Sequence, residues 1–241
     1  MPHSADREYA ERAIPQYERA VTTAGGEPVR IELNRSTAAL LTSAKSCDAV
    51  LLPGSNADVD PVKFGQRRSE RTAASDSLRE QTDFLLLEEA YAGRKPVLCI
   101  CYGLQSLNVF CGGSLIQHIP DFLPPESRDK VNHGAGKKMA VAHSVQISRG
   151  SMLAGVIGNE DEQAQRDELV IPVNSSHHQS ADAIGNGLRI IARCPDDGII
   201  EALEGTSANH FVMAVQWHPE RSVNDDEHSR RIFRALIDAI R

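Results

Sequence analysis

Residues 94–113 read RKPVLCICYGLQSLNVFCGG, a strand-like segment that leads into a helical one. A short apolar run at 96–100 has the length of a β-strand and is followed almost directly by residues 104–110, whose apolar spacing is helical. A strand that turns directly into a helix presents the side chain at the turn, Cys101, beside the free N–H groups of the helix N-terminus. The helix dipole stabilises a thiolate there, and the thiolate is the attacking form. The pattern predicts a cysteine nucleophile; the alternative is that the three cysteines of the stretch are buried structural side chains.

A base for such a nucleophile occurs far downstream. Residues 211–220 read FVMAVQWHPE, an apolar strand-like run followed by His218 and Glu220. A cysteine nucleophile needs a general base, and the base needs an acceptor that orients it. His218 and Glu220 can fill these two roles. Next to the nucleophile, the backbone N–H of Tyr102 is placed to stabilise an oxyanion when Cys101 attacks a carbonyl group.

These two motifs resemble those of the class I glutamine amidotransferase family, which carries a Cys-x-Gly-x-Gln elbow and a His-x-Glu pair. More narrowly, the sequence is similar to the γ-glutamyl hydrolase branch, the cysteine peptidase family C26, over residues 10–240. The blocks that carry the resemblance stand in the family's order: LLPGSNADVDP (51–61), CYGLQSLNVFCGGSLIQHI (101–119), VNSSHHQS (173–180), DGIIEALEG (197–205) and VQWHPE (215–220). Two departures stand out, namely Cys99 where the family usually has glycine and polar residues at 1–12 where it has an apolar first strand.

The resemblance also implies roles for residues around the nucleophile. A turn at 53–55 would supply a second oxyanion donor, the backbone N–H of Gly54 or Ser55. The block at 174–179 would border the pocket and hold the α-amino or α-carboxylate end of a glutamyl group. Neighbouring histidines of an extended segment point to opposite sides, and although the sequence does not show which one faces the pocket, we favour His177 over His178. The substrate-binding residues implied are Gln105, Ser175, His177 and His178.

Helical and strand-like patterns alternate along the chain, which predicts an α/β fold with a doubly wound, mostly parallel sheet flanked by helices. We expect one domain over residues 1–241, in which the usual first strand is either absent or lost with a clipped start of the chain. Ligands of such folds bind at the carboxyl ends of the strands.

Asp83 is expected on a solvated helix face, and Glu201 either matches a family acid or is an exposed strand residue. Helices are predicted over 5–24, 36–45, 75–92 and after 224–226, and strands over 28–33, 48–52, 96–100, 143–148, 169–173, 188–192 and 199–203.

Composition narrows the class of protein. The formal charge of −7, with no basic stripe, argues against general nucleic-acid binding. No apolar run reaches the length of a membrane span, and no signal-peptide pattern opens the sequence. Five irregularly spaced cysteines do not form a disulfide framework, so a reducing cytoplasm is the simplest setting. The nine histidines lack metal-ligand spacing, so we expect no zinc site and no organic cofactor.

The activity that the resemblance implies is hydrolysis of a γ-glutamyl amide bond through a γ-glutamyl thioester. The substrate would be a small γ-glutamyl compound, such as γ-glutamyl-γ-aminobutyrate, and the sequence does not identify its amine. One alternative is a glutaminase subunit that delivers ammonia to a synthetase partner, and another is an inactive binding protein with the same fold. The sequence also leaves open whether the chain forms a homodimer.

Overall fold

The computed structural model describes residues 1–137, 141–158 and 168–240. Within these ranges the chain alternates helices and strands, as the sequence predicts. The strands are β1 (Val50–Leu52), β2 (Val97–Ile100), β3 (Leu115–Ile116), β4 (His143–Ser148), β5 (Glu168–Val173), β6 (Ser180–Ala181), β7 (Leu188–Arg193), β8 (Ile200–Gly205) and β9 (Val212–Val215). The α-helices are α1 (Arg7–Thr23), α2 (Thr37–Ser46), α3 (Ser77–Gly93), α4 (Tyr102–Phe110), α5 (Ile119–Phe122), α6 (Pro125–Arg128), α7 (Met152–Ile157) and α8 (Glu227–Asp238).

A seven-stranded sheet organises the described residues, in the order β1-β2-β9-β8-β7-β4-β5. Strands β1, β2 and β9 are parallel neighbours, with Leu98 opposite Met213 in the β2–β9 pair. The remaining strands of this sheet pair antiparallel. The sheet is parallel only over β1, β2 and β9. The connection between β7 and β8, residues 194–199, is too short for the crossover that parallel strands need. A small antiparallel pair, β3 and β6, lies apart from the main sheet.

Helices cover both faces of the sheet, as the predicted α/β class requires. Leu98 and Ile100 of β2 pack in one apolar cluster with residues of α1, α7 and α8. Val97 and Cys99 of the same strand pack in a second cluster with residues of α2, α3 and α4. A parallel strand that is buried on both faces needs apolar side chains at every position. This explains the continuous apolar run that precedes the predicted nucleophile.

Helix α1 begins after Asp6, whose carboxylate accepts a hydrogen bond from the Tyr9 N–H, and continues through Pro15. No strand precedes it in the described residues, which agrees with the polar sequence at 1–12. The strand predicted over 28–33 is wrong. This segment and β1 line a cavity of about 370 Å³, and the segment forms no ladder. Pro28 also lacks the N–H that a ladder position requires.

In the described residues, no helix combines the length and the apolar character that a membrane crossing requires. All five cysteines are described, and none forms a disulfide.

Candidate active site

The predicted strand-to-helix elbow is present at Cys101. Its backbone has φ 52° and ψ −105°, a conformation that non-glycine residues rarely adopt, and α4 begins at the next residue. The Cys101 N–H donates to the Val215 carbonyl at 2.8 Å, which ties the elbow to β9. Gly103 allows the close approach to β1, because a Cβ at this position would overlap the carbonyl oxygen of Leu52. Strained backbone of this kind is typical of functional sites.

His218 and Glu220 form the second part of the site. The His218 Nδ1 lies 2.8 Å from the Glu220 Oε1, and both side chains are buried. The His218 N–H donates to the Asn174 Oδ1 at 3.0 Å, so an asparagine of the 173–180 block fixes the backbone of the base. The sequence places Asn174 in the block expected to border the pocket, but it gives no sign of this contact with His218.

Electrostatics favours a charged His218. Burial would lower the pKa of His218, but the Glu220 carboxylate and the hydrogen-bonded Cys101 side chain raise it to about 9. Burial would likewise raise the pKa of Glu220, but the adjacent His218 holds it below its ordinary value. The imidazolium form is therefore the main form at neutral pH. It can stabilise a thiolate and later donate a proton to a leaving amine.

Three adjacent parallel strands bring these parts together. Gly54 follows β1, Cys101 follows β2 and His218 follows β9. The carboxyl ends of parallel neighbours meet at one edge of a sheet. A Cβ added to Gly54 would lie 2.9 Å from the His218 Cε1 and 3.6 Å from the Cys101 Cβ, which shows how closely the turn approaches both side chains.

Two of the predicted oxyanion donors differ in what they contact. The Tyr102 N–H belongs to the first residue of α4 and has no partner within the helix. The Gly54 N–H, in contrast, donates to the Tyr17 hydroxyl at 2.9 Å in the protein interior. Ser55 lines the pocket and supplies the other candidate N–H of this turn. The geometry therefore favours Tyr102 and Ser55 over Gly54 as donors.

Asp83 corrects an expectation. It was expected on a solvated helix face, but its side chain is only 2% exposed and pairs with Arg79 at 2.6 Å. The Arg79 guanidinium also donates to the Pro53 carbonyl at 2.6 Å and to the Gly54 carbonyl at 3.4 Å. The buried ion pair therefore supports the turn that carries the candidate oxyanion donors. An i,i+4 pair of this type normally indicates an exposed helix surface, so the sequence held no signal for its burial.

A cavity of about 740 Å³ opens at Cys101. Gln105 lines it one helical turn beyond Cys101, as predicted, and is 4% exposed. The Gln105 Nε2 donates to the Gln179 carbonyl and to the Gln216 Oε1, at 3.2 and 3.3 Å. Both amide protons are thus used inside the protein, and the side-chain oxygen is the group left for a ligand. Arg12 and Arg221 add cationic side chains to the cavity lining.

His177 and His178 both line the cavity, and their rings make different contacts. The His177 Nδ1 lies 2.8 Å from the Gln179 carbonyl, and the ring is buried beside Glu201. The His178 side chain is 39% exposed, and its Nε2 lies 2.9 Å from the Asp58 Oδ1. Both histidines therefore border the cavity, and His178, not the favoured His177, is the more accessible to a ligand.

The structure places Ser175 away from the cavity. Its side chain is fully buried, while the neighbouring Ser176 lines the cavity. Glu201 is also fully buried, which overturns its interpretation as an exposed strand residue. It lies among His133, His143 and His177.

Comparison with known proteins agrees with this geometry. The peptidase C26 family model matches residues 2–220. The chain is 32% identical over 229 residues to the γ-glutamyl-γ-aminobutyrate hydrolase PuuD of Escherichia coli K12, covering 93% of this chain and 84% of that protein. It is 31% identical over 229 residues to the γ-glutamyl-γ-aminobutyrate hydrolase of Shigella flexneri, with the same coverage.

A solved structure gives independent support for the fold. The glutaminase domain of CTPS from Trypanosoma brucei, with bound acivicin, superimposes with a TM-score of 0.59 at 14% identity, covering 98% of this chain and 89% of that one. At this identity the likeness shows the fold alone. Because the family model covers most of the chain and the elbow is built as its sequence predicts, this chain is a glutamine amidotransferase-like hydrolase and belongs to the peptidase C26 family.

Proposed function

We propose that the protein hydrolyses the γ-glutamyl amide bond of a small γ-glutamyl compound and releases glutamate and an amine. The observation that carries this proposal is the meeting of the Cys101 elbow with the His218–Glu220 pair at the opening of one cavity. Similarity to γ-glutamyl-γ-aminobutyrate hydrolases supports the γ-glutamyl class of substrate.

The proposed reaction has two stages. The Cys101 thiolate attacks the γ-carbonyl carbon, and the oxyanion is held by the N–H groups of Tyr102 and Ser55. Protonated His218 then gives its proton to the amine as the C–N bond breaks, which leaves a γ-glutamyl thioester on Cys101. Neutral His218 next takes a proton from water. The resulting hydroxide attacks the thioester, and glutamate leaves while the thiolate and imidazolium form again.

Three features of the cavity support recognition of the glutamyl end and of a larger leaving group. The free side-chain oxygen of Gln105 can accept a hydrogen bond from an α-ammonium group. Arg12 and Arg221 offer positive charge to carboxylates. The volume of about 740 Å³ lies in the range of pockets for drug-sized ligands and exceeds what a single free amino acid needs.

The test is glutamate release by the purified protein from a panel of γ-glutamyl compounds. The panel contains γ-glutamyl-γ-aminobutyrate, other γ-glutamyl amines, a γ-glutamyl dipeptide and free glutamine, and Cys101→Ala is the control. We expect release from at least one extended γ-glutamyl compound, with none from the control. A covalent γ-glutamyl adduct on Cys101 in rapidly quenched samples, detected by mass spectrometry, would support the thioester step.

Two other outcomes would favour the glutaminase subunit or the inactive binding protein. Turnover of glutamine alone, at a rate that a synthetase raises, would replace the proposal with a glutaminase subunit. No turnover and no adduct with any substrate, from a folded protein, would favour an inactive binding protein.

A further inference from the structure

A second group of polar side chains lies beside the catalytic cavity and has no part in the proposed reaction. His133, His143, His177 and Glu201 are all buried, and each offers one nitrogen or oxygen atom to a common space. These atoms all lie within 4.8 Å of one another. The four residues come from a loop, from β4, from the segment after β5 and from β8. The sequence analysis expects no zinc site because the histidines lack metal-ligand spacing. Spacing along the sequence cannot show this group, because each side chain comes from a separate part of the chain.

The outward-facing nitrogen of each histidine contacts an oxygen acceptor. The His143 Nδ1 lies 3.0 Å from the Ser144 carbonyl, and the His177 Nδ1 lies 2.8 Å from the Gln179 carbonyl. The His133 Nε2 lies 2.8 Å from the Asp197 Oδ2. A carbonyl or carboxylate oxygen can only accept, so the outward nitrogen carries the proton. In a neutral imidazole the inward nitrogen then presents a lone pair, which is the arrangement of metal-binding histidines.

The inward atoms are without hydrogen-bond partners. The His133 Nδ1, the His143 Nε2, the His177 Nε2 and both oxygens of Glu201 are buried and unpaired. With the three imidazoles neutral, four acceptor groups face one another in the protein interior, where they repel and where burial without a partner is costly. A shared cation would satisfy all of them at once.

The distances suit a tetrahedral metal ion. The Glu201 Oε1 lies 3.1 Å from the His133 Nδ1, 3.4 Å from the His143 Nε2 and 3.5 Å from the His177 Nε2. Ligand atoms about 2.0–2.1 Å from a tetrahedral zinc ion are about 3.3 Å apart. Imidazole with one carboxylate is a ligand set that suits zinc, and magnesium and calcium prefer oxygen ligands.

We propose that His133, His143, His177 and Glu201 bind one zinc ion in a closed structural site. With four protein ligands the ion keeps no open position for a substrate, so its role is to hold segments of the chain together. The Asp197 carboxylate behind His133 completes a carboxylate–histidine–zinc arrangement.

The ion would fix the loop that carries His133 against the wall of the catalytic cavity. The His177 N–H donates to the His133 carbonyl at 3.0 Å, and the Gly136 N–H donates to the Ser175 carbonyl at 2.6 Å. Gly136 and His177 both line the catalytic cavity. Loss of the ion would therefore loosen this wall without touching Cys101, His218 or Glu220.

The test measures metal binding directly and does not depend on activity. The full chain, produced without a histidine tag in zinc-supplemented medium, is passed through chelating resin and analysed by elemental mass spectrometry. We expect close to one zinc per chain, and near-complete loss in His143→Gln and Glu201→Gln. His210→Gln is the matched control, because His210 is also buried but its Nε2 lies 2.8 Å from the Lys95 carbonyl, outside the site. This control should keep its zinc.

A second measurement covers the case in which the variants do not fold. Wild-type protein is stripped with pyridine-2,6-dicarboxylate and then titrated with Co²⁺, whose visible spectrum is intense when the ion is tetrahedral. We expect that spectrum at one equivalent, its loss when Zn²⁺ is added, and a melting temperature that falls on stripping and returns with Zn²⁺ but not Mg²⁺. Absence of bound transition metal together with no tetrahedral Co²⁺ spectrum would overturn the proposal and leave a proton as the group that neutralises Glu201. Unchanged Co²⁺ binding by folded His143→Gln would overturn it as well.

Discussion

Replacing Glu220 by glutamine removes the charge beside His218 while keeping the size of the side chain. The Glu220 Oε1 lies 2.8 Å from the His218 Nδ1, and this contact outweighs the burial that would otherwise lower the pKa of the imidazole. In the wild-type protein the pKa of His218 is raised from 6.5 to about 9. We expect it to fall to its ordinary value or below in Glu220→Gln.

The size of the effect on activity follows from these two pKa values and depends on pH. Each unit of pKa changes the population of the imidazolium tenfold at pH values above the pKa. The variant should therefore hold about tenfold less imidazolium than the wild type at pH 7.5 and on the order of 10²-fold less at pH 8.5. Because His218 must donate a proton to the leaving amine, kcat/KM for amide substrates should fall by at least these factors.

Two measurements check this prediction. Titration of the His218 Cε1–H signal by NMR, assigned from its absence in His218→Asn, gives the pKa directly. The pH dependence of kcat/KM gives the catalytic effect, with Glu11→Gln as the control because Glu11 forms an exposed pair with Arg7. A wild-type pKa below 7, or a pKa that Glu220→Gln leaves unchanged, would refute the electrostatic reasoning.

The same pair predicts a pH-dependent stability. Because the folded pKa of His218 is raised, its contribution is complete below pH 6.5 and is lost as pH rises through about 9. The folded pKa of Glu220 is lowered, so its contribution is present above the ordinary carboxyl pKa and is lost as pH falls through the folded value. Urea unfolding should therefore show the largest destabilisation of Glu220→Gln near pH 6.5 and a smaller one at pH 9.5. A destabilisation that is equal at both pH values would contradict this linkage.

Three further substitutions test the framework of the site. Gly103→Ala inserts a Cβ into the backbone at the end of β1 and should lower the free energy of unfolding by about 1–3 kcal/mol or prevent folding. Asp83→Asn leaves the buried Arg79 guanidinium without its counter-charge and should cost about 3–5 kcal/mol by urea unfolding. Tyr17→Phe removes the acceptor of the Gly54 N–H and should cost about 1–3 kcal/mol. It should leave kcat within a few-fold of wild type.

Control variants exist for the first two substitutions, and the last two have outcomes that would contradict the reasoning. Gly155→Ala is matched to the glycine variant, because a Cβ there meets nothing within 4 Å, and it should unfold like wild type. Glu11→Gln, at an exposed ion pair, should change stability by less than about 0.5 kcal/mol. Wild-type stability of Asp83→Asn would mean that the Arg79 pair does not hold the turn. A large fall in kcat of Tyr17→Phe, with the fold intact, would return the oxyanion role to Gly54.

The strand-to-helix turn at Cys101 and the position of His218 after a strand could be predicted because consecutive residues specify each of them. The apolar run before Cys101 and the helical spacing after it specify the turn locally, and the apolar run that ends before His218 places the base at the end of another strand. The fold class then implies that the carboxyl ends of the parallel strands lie at one edge of the sheet. The α/β class was therefore accessible from sequence.

Features that depend on distant contacts could not be predicted. Asp83 and Arg79 have the spacing of a surface pair, and only the packing of α3 against the turn at 53–54 buries them. Residues 28–33 have strand-like composition, but a cavity separates them from a ladder partner. Glu201 meets histidines from three other segments, and no local pattern shows such a meeting.

The position of β9 has a consequence for how the protein forms during synthesis. This strand is the last of the sheet in sequence, yet it lies between β2 and β8, and its Val215 carbonyl accepts a hydrogen bond from the Cys101 N–H. A nascent chain that has reached residue 205 has both neighbours of β9 but neither the strand nor His218. The two halves of the sheet can therefore join only after synthesis has passed Val215, where β9 ends. Cys101 and His218 come together only at that stage.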